Sequence, residues 1–123
     1  MKSYTDLEQS KRLAEILPLE SADMHYYEIP VFEKNDTAFA IRMGTPIVKT
    51  DLPCWTLSAL LNVIPKHIKD YNVLRIDISD KDFAIWYDEI GYGVNNELPD
   101  ITEKSAVDAC FNTIIKLKER NLI

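Results

Sequence analysis

The chain predicts an α+β fold, three helices packed on one face of a small antiparallel β-sheet. Three observations carry that expectation. Apolar residues recur at helical spacing in three separate segments, a period-two alternation occupies residues 71–90, and the short polar stretch "SDKD" cuts that alternation into two arms.

The first helix is predicted over residues 6–17. Thr5-Asp6-Leu7-Glu8 has the form of a capping box: a hydroxyl placed for the N3 amide, and a glutamate able to reach back. Leu7, Leu13 and Leu17 make its apolar face, Lys11 and Arg12 point away, and Pro18 ends the run. Residues 19–52 are less regular. "MHYYEIPVF" has strand character, with Pro30 confining it to an edge; "TAFAIRM" reads as extended; "GTPIVKTDLP" reads as turn, short extended piece, turn. A second helix follows from Trp55 or Thr56 to Ile64. Leu57, Leu60, Leu61 and Ile64 fall on one face, and Pro65 closes it. "KHIKDY" reads as an irregular last turn.

The sheet is then predicted as a hairpin, arms 71–79 and 82–90. In the first arm Leu74, Ile76 and Ile78 oppose Val73, Arg75 and Asp77. In the second, Phe83, Ile85 and Tyr87 share one face; Ala84, Trp86 and Asp88 share the other. Tyr92 and Val94 allow a third strand. The last helix is predicted over residues 103–121, capped by Asp100 or Thr102, with Val107, Cys110, Phe111, Ile114 and Leu117 in one stripe and Lys116, Lys118 and Arg120 at its negative end. No linker-like composition interrupts the chain, so residues 1–123 read as a single globular domain.

Composition narrows the function. At 46% hydrophobic and 28% charged, the chain has the make-up of a globule with a core. No apolar run approaches the roughly 18–20 residues of a membrane span. The charged, amphipathic start lacks the apolar segment of a secretory signal, so a cytoplasmic location without membrane attachment is expected. The net charge of −6 is concentrated: residues 77–103 hold eight acids against the single base Lys81. That field repels phosphate backbones and disfavours direct nucleic-acid binding; a protein partner with a basic surface suits it.

"LPCWTLSALL" raises the question of a reactive thiol, because Cys54 precedes a helix whose dipole lowers a thiol pKa. A base would have to come from His25 or His67. The competing account is packing: Trp55 fills a core and Leu52 staples the helix entry. Cys110 lies on the apolar stripe of the last helix and reads as core. His25, His67, Cys54 and Cys110 have no zinc-ligand spacing, and Asp77, Asp80 and Asp82 lack the glycine and distal glutamate of a calcium loop. Adjacent Asp88 and Glu89 point to opposite faces of a strand, unlike a glycosidase pair. No phosphate-binding loop or nucleophile-elbow motif is present. No catalytic residue, metal or cofactor is therefore assigned. The aromatics beside the acids are the remaining signal, and Trp86, Tyr87, Asp88, Glu89 and Tyr92 are the expected partner-binding residues.

Three blocks, "YTDLEQSKRLAEILPLESADM", "LPCWTLSALLNVIP" and "AVDACFNTIIKLKERNLI", resemble a family of small uncharacterised proteins of gut Bacteroides-type bacteria and their phages or mobile elements. They cover about half of the chain. The resemblance implies an intracellular single domain linked to mobile DNA, with residues 25–50 as the variable part, and it brings no activity. The expectation is a small accessory protein that binds a protein partner through an acidic aromatic surface. The alternatives are a cysteine enzyme using Cys54 with a histidine, and an acidic DNA-mimic inhibitor.

Overall fold

The computed structural model describes residues 2–31, 36–46 and 51–123. The chain is α+β, with three α-helices and antiparallel-paired strands among the described residues. The elements are α1 (Leu7–Ala14), β1 (Met24–Val31), β2 (Asp36–Met43), β3 (Leu52–Cys54), α2 (Leu57–Val63), β4 (His67–Ile68), β5 (Asn72–Ile78), β6 (Phe83–Glu89), β7 (Gly93–Val94), β8 (Ile101–Glu103) and α3 (Ala106–Glu119). The strands form two sheets where the sequence reading expected one, because residues 24–54 build a sheet of their own. Two compact units result: residues 4–59, and residues 60–123 with the start of the chain.

In the first unit the sheet order is β2-β1-β3. β1 pairs with β2 from Met24 opposite Met43 to Val31 opposite Asp36, whereas β3 covers only Met24–Tyr26. At Pro30, β1 therefore has one neighbouring strand among the described residues, which is where a strand tolerates a residue without an N–H. The extended piece expected after Gly44 falls partly on residues 47–50, outside the described residues.

The cap of α1 sits one residue later than the Thr5 box. Asp6 is the N-cap: its carboxylate accepts from the Gln9 amide at 2.8 Å, and Gln9 Oε1 accepts from the Asp6 amide at 3.1 Å. Thr5 is drawn inside. It is fully buried, its Oγ1 accepts from the Trp55 amide at 3.1 Å, and it lies 2.7 Å from Ser10 Oγ. α1 ends at Ala14, before the predicted Leu17, as the chain turns ahead of Pro18. α2 is capped by Thr56, whose Oγ1 accepts from the Ala59 amide at 3.2 Å. Asp23 holds that cap from a distance, accepting from both the Thr56 amide (2.9 Å) and the Thr56 hydroxyl.

In the second unit the order is β4-β5-β6-β7, with β8 also paired to β6. The predicted hairpin forms as β5 and β6, Asn72 opposite Glu89 through Ile78 opposite Phe83. Its turn needs no glycine: Ser79 donates its amide to the Asp82 carbonyl at 2.9 Å, and Ser79 Oγ accepts from the Lys81 and Asp82 amides. "KHIKDY" is not an irregular turn but contains β4, which reverses through Lys69 and Asp70, both at left-handed φ. α3 starts at Ala106 and not at residue 103, because Ile101–Glu103 is committed to β6 as β8; Ser105 is the cap, in place of Asp100 or Thr102. It closes with Asn121 at φ 57°, with Asn121 N–H bonding Lys118 O and Leu122 N–H bonding Leu117 O, the Schellman arrangement. The predicted stripe of α3 is buried, and the helix contacts β6 and β8. Phe83, Ile85 and Tyr87 of β6 are buried with it, each such side chain contributing roughly 1.5–3 kcal/mol.

Candidate interaction surface

Alternation along β6 divides the predicted residues. Tyr87 and Glu89 lie on the Phe83 face, and Trp86 and Asp88 on the opposite one. Tyr87 cannot serve an exposed surface: it is fully buried, its hydroxyl donates to the Pro65 carbonyl at 2.7 Å, and burial pushes its phenol well above the usual range. Its position in the Phe83-Ile85-Tyr87 triplet removes it from the site.

Trp86 is half-buried, and its indole Nε1 donates to Asp88 Oδ1 at 2.9 Å. Arg75, opposite Trp86 on β5, donates its Nε to Asp88 Oδ2 at 3.1 Å. One carboxylate thus bridges a guanidinium and an indole. So exposed an ion pair contributes at most about 1 kcal/mol; its structural effect is to fix the plane of the indole against the sheet. Val94 lies opposite Asp88 and extends the same face onto β7.

Tyr92 projects from the connection between β6 and β7 and is 84% exposed. Its amide bonds to the Glu89 carbonyl at 2.9 Å, closing a turn whose third residue, Gly91, has φ 90°, a conformation natural to glycine. Ile90 and Tyr71 are exposed beside it, joined through the Ile90 amide and the Tyr71 carbonyl. The surface therefore consists of Trp86, Asp88, Arg75 and Val94 on the sheet face, with Tyr92 and Ile90 at its end. Arg75, Val94 and Ile90 were not among the predicted residues. The strand alternation put Arg75 on the Asp77 side, and the register puts Trp86 opposite it; the exposure of Ile90 has no sequence signal.

The thiol question has a geometric answer. Met24 is opposite Cys54 and His25 is opposite Pro53, so Cys54 and His25 project from opposite faces of the β1–β3 pair. Cys54 is fully buried, and its Sγ contacts Thr5. Burial raises its pKa, against the lowering effect of hydrogen bonds from Thr5, Ser10 and Tyr26. His25 is spent elsewhere: its Nδ1 donates to the Gly44 carbonyl at 2.7 Å and its Nε2 lies 3.9 Å from Asp51. His67 lies on β4, in the other compact unit. Cys110 is also fully buried, its thiol pushed up to about 12 by burial against the lowering effect of Lys66. Among the described residues, no three His, Cys, Asp or Glu side chains converge as metal ligands, and no helix is long and apolar enough to cross a membrane. Of the acids concentrated in residues 77–103, Asp88 is engaged by Arg75 and Trp86, and Glu103 accepts from Asn112 at 3.0 Å.

Comparison with family models, with curated proteins and with solved structures returns no match for this chain.

Proposed function

We propose that the chain is a small cytoplasmic accessory protein, of phage or mobile-element origin, that binds a protein partner through the Trp86–Asp88 face and the Tyr92 turn. The observation that supports this most is the pairing of a positioned indole with an aromatic ring left almost wholly in solvent on the adjoining turn. Exposed aromatics next to a rigid sheet are what binding hot spots are made of. The acids on the indole's face, Asp77 and Asp88, with Glu89 at the base of the Tyr92 turn on the other face, select a partner with basic residues at the rim, and the same charge disfavours nucleic acid. The resemblance of the three sequence blocks supports the origin.

Pull-down from a lysate of the host bacterium, with wild type compared against Tyr92→Ala and Trp86→Ala, tests the reading. Tyr92 makes little packing contact, so its truncation leaves the fold intact. Loss of one salt-sensitive partner in both variants is the expected result. An unchanged set of captured proteins would reject it.

A further inference from the structure

We infer that β5 is the self-association edge of this protein, and that two copies pair antiparallel through Leu74–Ile78 about a two-fold axis at Ile76. The register of the backbone groups is fixed by hydrogen bonds on both sides of the hairpin. Ile90 N–H bonds Tyr71 O and Ser79 N–H bonds Asp82 O, so the odd residues of β5 turn their N–H and C=O toward β6. Leu74 N–H instead bonds Lys66 O, so the even residues face the other way. β4 covers that second edge only at Asn72 and Val73, with Lys66 reaching Leu74. From the Leu74 carbonyl to Ile78, no described strand pairs with it.

From the Leu74 carbonyl onward this edge contains no proline, and its side chains on the Phe83 face are apolar and exposed: Ile76 at 39% and Ile78 at 73%. Its charges, Arg75 and Asp77, lie on the other face. The occupant is argued from charge. In "LRIDI", an antiparallel copy centred on Ile76 sets Leu74 opposite Ile78 of the second copy, Arg75 opposite its Asp77, and Ile76 opposite itself. Ile76 of each copy then exchanges both backbone bonds with the other, and each Ile78 N–H reaches the other copy's Leu74 carbonyl. The neighbouring registers are disfavoured: centring on Arg75 or Asp77 sets like charges face to face. The motif is thus complementary to itself in one register, which is the property a second copy needs and an arbitrary strand lacks. The pairing shares Arg75 and Asp77 with the partner surface proposed above, but it runs through the β5 backbone edge, and Ile78 lies outside that surface, so Ile78→Lys separates the two.

Sedimentation velocity of the full chain, over a concentration series reaching the millimolar range, tests this. Wild type is expected to shift from monomer to dimer. Ile78→Lys, at a side chain mostly in solvent, keeps the monomer's circular dichroism and urea midpoint and raises the dissociation constant by about tenfold or more. Asp77→Arg and Arg75→Asp are each expected to be monomeric alone and to form a heterodimer when mixed, since each basic position of one then meets an acidic position of the other. Wild type that stays monomeric throughout overturns the inference, and so does a dimer untouched by Ile78→Lys and Asp77→Arg. A mixture that fails to associate rejects the Ile76-centred register.

Discussion

Replacing Thr5 by valine keeps the shape of the side chain and deletes one hydroxyl, and the structure predicts a large cost for so small a change. Thr5 Oγ1 is the acceptor for the buried Trp55 amide (3.1 Å) and the partner of the buried Ser10 hydroxyl (2.7 Å). Stranding a buried donor costs about 1–3 kcal/mol, and two groups lose their partner here, so Thr5→Val should destabilise by about 2–4 kcal/mol. Thr5→Ser keeps the oxygen and loses one methyl, for about 1 kcal/mol. Adding Ser10→Ala to Thr5→Val removes the stranded hydroxyl, so the double variant should be more stable than the sum of the singles by about 1 kcal/mol. Urea unfolding followed by tryptophan fluorescence measures all of these. A Trp86→Phe background leaves Trp55, which lies beside the altered position, as the sole reporter. If Thr5→Val costs no more than Thr5→Ser, the hydroxyl is not the organising group and the reasoning fails.

Two further outcomes follow from the buried groups. Cys110, Cys54, Tyr87 and Tyr26 all have raised pKa values, chiefly from burial. Each stays protonated in the folded chain while its unfolded counterpart ionises, so their contribution is complete below about pH 9 and declines as pH rises toward 12. The unfolding free energy should therefore fall above pH 9, by at most about 1.4 kcal/mol per pH unit for each fully buried group titrating and by less for the partly exposed Tyr26, and both thiols should resist iodoacetamide until urea unfolds the chain; a flat urea midpoint to pH 11, or alkylation of native Cys54 at neutral pH, would contradict this. Asp23→Ala removes the acceptor of the Thr56 amide and hydroxyl at the start of α2 and should cost about 1–2 kcal/mol in the urea midpoint, whereas Asp23→Asn, which retains one acceptor oxygen, should cost less.

The parts of the fold that could be read in the sequence are those with one dominant period. α3 and the β5–β6 hairpin repeat their apolar residues so regularly that the buried stripe and the Phe83-Ile85-Tyr87 face follow from spacing alone. The first sheet did not stand out in the same way, because β1 and β2 leave Ile29, Phe39 and Met43 exposed while burying His25, which blurs the alternation. Caps shifted where two chemically valid choices were adjacent: Thr5 with Glu8 and Asp6 with Gln9 both satisfy the box, and the need for an interior acceptor at Trp55 decides between them. The surface was half legible. Strand alternation separates Trp86 from Tyr87 but does not say which is covered, and that depends on the packing of α3.

The turn at Ser79 also bears on the order in which the chain folds. Because one serine side chain gathers the amides of the reversal, the β5–β6 hairpin can close with contacts made only between near neighbours in sequence. Such closure takes about 1–10 μs, long before α3 can be added from far along the chain. The β4–β5 pair also closes over a short reversal, whereas β1–β3 and β6–β8 join segments distant in sequence, so the hairpin is expected to form before those pairings complete the sheets.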